Sequence, residues 1–313
     1  MASANFTAAQ AYKDYVEEFA PQLFSKLYYG FETANYVTPH EGVKGKKVLT
    51  ELMIGDLAKR WRKNFDALAD VIDFKPRVLE TELAKVDLQI TPQEFEGSYL
   101  GMMRRTGQNQ TDLPFQAYIL DKVIQKLHTE KETAIWQGVA AAVPAAGDPL
   151  DEVFDGYLKI IADAITATDI TPFPTGALTN INIVTQIEAM WDALDPAMKK
   201  EAVEVWVSYN NYTKFIQNYR NDFGKYVGYD GQGAIKLDFG NATLRPIAGM
   251  GNSQRVIITQ PSNFHYGFDA SADSSMINFE WNHRSLDMWI DFRMGCQIGI
   301  LDDSKMIIVN NQA

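Results

Sequence analysis

The sequence is short of cysteine, histidine, long apolar runs and positive charge, and each shortage removes a class of protein. Its one cysteine, Cys296, excludes an intrachain disulfide framework and leaves no second thiol for a cysteine-built zinc site. It falls on an apolar stripe and reads as a buried packing residue. The four histidines, His40, His128, His265 and His283, never stand at the i, i+3 or i+4 spacing that sets metal ligands on one helix face. No apolar run reaches the roughly 18–20 residues of a membrane helix, and the opening MASANFTAAQAYKDYVEEF lacks the basic-then-apolar order of a secretory signal. A cytosolic product with no membrane partner is expected. With 40 acidic against 29 basic residues the chain carries a formal charge of −11, which argues against a sequence-general nucleic-acid binder.

What is present is a folded chain: 313 residues, 46% hydrophobic and 22% charged, suffice for one large core or two moderate ones. From Leu286 to Ile300 every even position is apolar, including Ile290, Phe292, Met294 and Cys296, while the odd ones read Asp287, Trp289, Asp291, Arg293, Gly295, Gln297 and Gly299. That alternation predicts a β-strand with one buried and one wetter face, about fifteen residues against the usual five or six. A helix is predicted from Thr111 or Asp112 as cap, through Pro114 in the first turn, to Gly138 as a left-handed stop. Leu120, Val123, Ile124 and Leu127 form its stripe, continued by Ala134 and Ile135, with Lys122, Gln125, Lys126 and Lys131 facing away. At 1.5 Å per residue it spans roughly 36 Å, so it can lie along the apolar side of the strand, which reaches roughly 50 Å.

The remaining segments organise around that pair. Ala9, Tyr12, Val16, Phe19 and Leu23 suggest a peripheral helix over 8–28. Residues 43–95 read as an extended, hairpin-rich excursion with a charged tip around Lys59 to Asp70. Within it, 44–63 concentrates Lys44, Lys46, Lys47, Lys59, Arg60, Arg62 and Lys63 against only Glu51 and Asp56, a basic patch in an acidic chain. Further helices are expected over 149–166 and 183–194, then strand alternation at Val203, Val205 and Val207 turning helical from about Asn211. A mixed α/β unit from 147 to 275 is the economical reading.

Chemistry is sparse. His265 in PSNFHYGFD is the best enzyme-like candidate, but no activated serine or cysteine motif accompanies it. GYDGQG at 228–233 lacks phosphate-loop spacing and reads as a hairpin turn, and FDASADSS departs from the calcium-loop pattern. Aromatics stand out in polar-looking segments instead: Tyr28, Tyr29 and Phe31 early in the chain, Trp61 between Arg60 and Arg62, and Trp289 on the wetter strand face. Trp, Tyr and Arg are the residues enriched where proteins grip one another, and a protruding hairpin cannot bury much of itself. The pattern points to assembly before catalysis.

The order of parts resembles the major capsid proteins of tailed bacteriophages, the Hong Kong 97 type, over essentially the full length. The parts are an arm, a basic loop (HEGVKGKKVLTEL onward), a long helix (LPFQAYILDKVIQKLHTEKETAIWQG), a central unit and a closing strand (LDMWIDFRMGCQIGILDDSKMIIV). IEAMWDALDPAMKKEAVEVWVSYNNYTKFIQNYRND is similar to the family's helix, strand and helix, and ATLRPIAGMGNSQRVIITQPSNFHYGFD to its strand pair. The resemblance implies an α+β fold. Its parts are an N-terminal arm (1–42), an extended loop (43–95), a peripheral domain with a spine helix (96–146) and an axial domain (147–275). Long peripheral strands (276–302) and a C-terminal strand returning to the axial domain (303–313) complete it.

It also implies a structural protein, not an enzyme, with no cofactor, that builds hexamers and pentamers of an icosahedral shell around double-stranded DNA. In such a shell Lys44, Lys46, Lys47, Lys59, Arg60, Trp61 and Arg62 would lie over a neighbouring subunit, while Leu120, Val123, Ile124 and Leu127 pack on Ile290, Phe292 and Met294. Two departures shape the expected partners. No long charged helical leader precedes the arm, so a separate scaffolding protein is expected beside a portal and decoration proteins, and no lysine–asparagine cross-linking pair is identified. The location implied is the virion, assembled in the bacterial host cytoplasm. Rival readings are an encapsulin-like compartment enclosing a cargo enzyme, a soluble α/β enzyme with its site at His265, and a phage tail or neck component.

Overall fold

The computed structural model describes residues 25–54, 58, 60, 61, 63, 72–91, 115–145, 147–223, 235–269, 277–282, 285–301 and 306–312. Its longest strand is the one the alternation marks. β11 (Ser285–Ile298) stops two residues short of the expected Ile300, and Met288, Ile290, Phe292, Met294, Cys296 and Ile298 are all buried. Strands β1 (Thr38–His40), β4 (Glu82–Ile90), β9 (Phe264–Phe268) and β10 (Ile277–Asn282) complete its sheet in the order β1-β9-β11-β10, with β4 also on β11. β4 runs antiparallel from Leu286↔Ile90 to Met294↔Glu82. Residues 82–90, expected in the excursion, therefore belong to this sheet. β9, expected in the 147–275 unit, pairs Met294↔Phe268 to Ile298↔Phe264 and belongs here too. The cause is the length of β11, whose edges hold three shorter strands end to end and side by side.

Helix α1 (Phe115–Gln137) covers the apolar face; its 23 residues span about 35 Å. Leu120, Ile124, Leu127, Ala134 and Ile135 are buried in one cluster with Ile290, Phe292 and Met294, and Val123 packs partly buried against it. The Cys296 thiol meets the Ile135 carbonyl at 3.7 Å, and the Lys131 ammonium sits 4.2 Å from the centre of the Phe292 ring. Lys131 thus corrects the expectation that it faces away: it is fully buried. The helical stripe is wider than apolar periodicity indicates because the 25–29 helical turn closes over it, burying Leu27, Tyr28 and Phe31. Those aromatics, singled out for a contact surface, are core. Residues 1–24, the caps Thr111 and Asp112, Pro114, His283 and the 228–233 turn lie outside the described residues.

Gly138 ends α1 without a left-handed backbone. Its role is close approach: a Cβ there would lie 2.4 Å from the Ala134 carbonyl oxygen and 2.6 Å from that of Phe154. Gly156 N–H donates to Gly138 O at 2.9 Å. This crossing splits the helix expected over 149–166 into a 3-10 turn (Leu150–Glu152) and α2 (Tyr157–Thr166), with Gly156 extended between them.

The second sheet has the order β12-β8-β5-β7-β6, from β5 (Val203–Ser208), β6 (Ile235–Lys236), β7 (Ala242–Ile247), β8 (Val256–Thr259) and β12 (Ile307–Val309). Continuous apolar runs such as VIIT and IIV mark strands covered on both faces. One face carries Val203, Val205, Val207, Val256 and Ile258 against α3 (Ile183–Asp192) and α4 (Tyr209–Phe223), which starts two residues before the expected Asn211. The other face turns Trp206, Ile247, Ile257 and Val309 into the cluster built on α1. Trp206 meets Trp136 at 5.8 Å and Phe264 at 5.2 Å between ring centres, so an aromatic knot joins the two sheets.

Candidate assembly surface

β2 (Lys46–Ile54) and β3 (Ile72–Glu80) form a two-stranded antiparallel ribbon in register from Lys46↔Glu80 to Ile54↔Ile72. Eight steps at about 3.4 Å carry its far end about 27 Å from its base. Pro76 is tolerated because a two-stranded ribbon is all edge. Val48 and Val78, directly opposed, are exposed.

The base is where the ribbon is anchored, and glycine permits it. A Cβ at Gly295 would lie 1.9 Å from the Glu80 carbonyl oxygen, and one at Gly267 would lie 2.9 Å from Leu79. The chain end of β3 therefore crosses directly over β11 and β9 on the face away from α1, burying Leu79 and Thr81. Gln297 donates to the Val78 carbonyl at 2.8 Å and accepts from Arg77 at 3.2 Å. Thr81 Oγ1 donates to Val43 O at 2.9 Å and accepts the Gly45 amide at 3.1 Å, while the Thr81 amide donates to Gly45 O at 2.7 Å, across a turn that Gly42 and Gly45 enter with φ of 71° and 107°. The glycines at odd positions of the strand were the only sequence signal for this crossing.

A second tie runs through histidine. The Lys47 ammonium, which only donates, lies 2.9 Å from His40 Nδ1, and His40 Nε2 lies 3.0 Å from His265 Nδ1. His40 Nε2 thus carries the hydrogen and both rings are neutral. Burial first, then the neighbouring charge, lowers both histidines; for His265 the value falls to about 4. His265 is accordingly a structural link between β1, β2 and β9. Among the described residues no group of three or more potential metal ligands converges.

The structure separates the basic residues of this region. Lys44, Lys46, Lys47, Arg60 and Trp61 are exposed, Trp61 at 83%, whereas Lys59 and Arg62 lie outside the described residues. Lys46 pairs with Glu80 at 2.6 Å, and Lys47 holds His40, so these two are engaged within the chain. Arg60 and Trp61 are presented outward.

Beside the base lies a groove of about 1100 Å³ between the β3–β4 turn, α1 and the 140–155 loop. Its floor includes Ala84, Val86, Leu127, Phe154 and Phe292. Eight carboxylate residues line it, Glu80, Glu82, Asp87, Glu130, Asp148, Glu152, Asp155 and Asp291, against the single lysine Lys85. Five of them are already engaged: Glu80 by Lys46, Asp87 by Lys85, Glu130 by Lys126, Asp148 by the Ala145 amide and Asp155 by the Ala140 amide. Sequence reasoning missed this groove because its acids come from four separate stretches, none of them a charge run.

No family model and no curated protein matches the sequence. Solved structures do. A chain of the satellite phage P4 procapsid including size determination (Sid) protein aligns over 93% of this chain and 90% of its own, at 13% identity and a TM-score of 0.58. A chain of the capsid of an empty GTA particle aligns over 89% of each, at 9% identity and a TM-score of 0.55. A Gordonia phage Cozz chain aligns over 89% of this chain and 85% of its own, at 11% identity and a TM-score of 0.52. Likeness at such low identity is likeness of fold, and it spans nearly the whole of every chain compared: this protein has the mixed helix-and-strand fold of phage capsid chains.

Proposed function

We propose that this chain is the major capsid protein of a tailed phage, of the Hong Kong 97 type, and that copies of it build the hexamers and pentamers of an icosahedral shell around double-stranded DNA. The observation that carries the reading is the shared fold, which extends over nine-tenths of this chain and of the procapsid chain it aligns with. In that reading α1 is the spine helix, the sheet on β11 the peripheral domain, the second sheet with α3 and α4 the axial domain, and the ribbon of β2 and β3 the extended loop.

Charge and reach support a specific contact. The ribbon holds Arg60 and Trp61 beyond its far end, about 27 Å from the base, while the acidic groove lies at the base itself. A basic end and an acidic base on each copy complement one another between neighbouring copies. Such head-to-tail contacts close into rings and shells when the rotation between copies allows it. The excess of acid lets enclosed DNA be held through counterions without sequence-specific grip. Portal, separate scaffolding and decoration proteins would complete the particle, with the virion as its location and no membrane involved.

Electron microscopy of the purified protein after size exclusion tests the reading. Closed shells are expected, with DNA inside those recovered from infected cells. Tubes or a persistent monomer at every ionic strength would refute it, and shells filled with a cargo enzyme would indicate an encapsulin-like compartment.

A further inference from the structure

Helix α1 grips the segment ahead of β1 with three polar side chains, His128, Lys131 and Glu132, on about one turn and a half of helix. His128 Nε2 lies 2.7 Å from the Lys26 carbonyl, and Lys131 Nζ donates to the Leu27 carbonyl at 2.9 Å. Both carbonyls lie in the 25–29 helical turn, and that of Lys26 also accepts the Gly30 amide at 3.0 Å. Glu132 accepts the Thr33 amide at 2.9 Å and the Thr33 hydroxyl as well, and that hydroxyl accepts Trp136 Nε1–H at 2.7 Å. Gly30 permits the fit, since a Cβ there would lie 2.3 Å from the His128 ring.

The middle member of the clasp is anomalous. Lys131 is fully buried between the ring faces of Tyr28, at 5.0 Å, and Phe292, at 4.2 Å, and among the described residues it makes no ion pair. The titratable groups around it are Tyr28 and Lys26 from the segment it holds, His128 and Glu132 from α1, and Asp269 beyond β9, which acts on Tyr28; from β11 the Phe292 ring lies against it. Glu132 is committed to Thr33. An ammonium held by one carbonyl and two rings destabilises the closed arrangement compared with a neutral group of the same shape.

We propose that residues 26–33 form a releasable strap on α1, and that the buried charge of Lys131, which has no counter-ion among the described residues, sets how readily the strap lifts. This holds whether or not the chain forms shells. Burial lowers the Lys131 pKa from its ordinary value of 10.5 to about 7. The open strap therefore binds more protons than the closed one between these limits, and closure strengthens as pH rises across them.

Hydrogen exchange of the full-length protein, with protection factors corrected for intrinsic rates, tests this. Between pH 7.5 and 9.5 protection of the strap amides is expected to rise by up to about tenfold per pH unit, while that of β5 in the second sheet stays level. Lys131→Met, which keeps the packing and removes the charge, should raise strap protection at pH 7.5 and flatten its pH profile. Strap protection that does not change with pH, a rise shared equally by β5, or a Lys131→Met strap that exchanges faster than wild type would each overturn the proposal. The pH profile of the unaltered protein decides the matter even if the variant fails to fold.

Discussion

At the scale of single residues, the apolar face of β11 tolerates least. Ile290 has no exposed surface and sits opposite Val86 and Ile277 in the two flanking strands. Ile290→Asp places an unpaired carboxylate there, at a cost of several kcal/mol, about 4 or more. Loss of soluble protein, or a large drop in the urea midpoint, is the expected result; a normal melting curve would contradict the packing described. Gly295→Ala acts on the opposite face. Its Cβ would meet the Glu80 carbonyl oxygen at 1.9 Å, so the ribbon base must shift while the apolar face is untouched. Proteolysis within 44–80 should accelerate far more than the melting temperature falls. These two neighbours were unequally legible: alternation identified Ile290 as core, but nothing in it said which backbone would cross over Gly295.

At the scale of elements, the tie between β1, β2 and β9 is governed by acid. An unfolded histidine titrates near 6.5, whereas burial, then His40 and Lys47, hold His265 down to about 4, and burial and Lys47 lower His40 as well. Their contribution to stability is fully present above pH 6.5 and is lost as pH falls toward 4, because the unfolded state binds more protons in that window. The same protonation sets a charged His40 against the Lys47 ammonium 2.9 Å away. Amide exchange at the ribbon base should therefore quicken, relative to β5, between pH 7 and 4.5, and His40→Gln should blunt the change. A base that exchanges alike at both pH values would show that the histidines carry no part of the anchorage. The helices were legible to differing degrees for a related reason. The interior of α1 follows from its apolar stripe, but the break between Leu150 and Tyr157 comes from a tertiary crossing at Gly138 and Gly156.

At the scale of the whole molecule, the ribbon end and the acidic groove are the two halves of the proposed contact. Arg60→Ser with Trp61→Ser removes side chains exposed on a single chain, so the stability read from urea unfolding should change little, by the ~0.5 kcal/mol typical of surface positions. Particle yield should collapse. Glu152→Lys with Asp148→Lys, on the groove side, should have the same effect, and particles that form normally with either pair changed would remove the contact from the proposal. Lys46 and Lys47 are poorer targets than their charge suggests, because Glu80 and His40 already hold them. That distinction needs coordinates, since a basic stretch looks the same whether its partners are within the chain or beyond it.

The sequence by itself determined the elements whose pattern is local. Two-residue alternation yields β11, the 3.6-residue stripe yields α1, and a single cysteine excludes an intrachain disulfide framework. Only the tertiary structure decided what lies against what: β4 and β9 on the long strand, the ribbon crossing at Gly295, and a groove whose acids come from four stretches. It also placed Lys131 inside. Periodicity records which face of an element is dry, a property each residue shares with its near neighbours in the chain. Pairing, crossing and the burial of a charge depend on residues a hundred positions away, as Lys131 and Leu27 are, and no local pattern encodes such a partner.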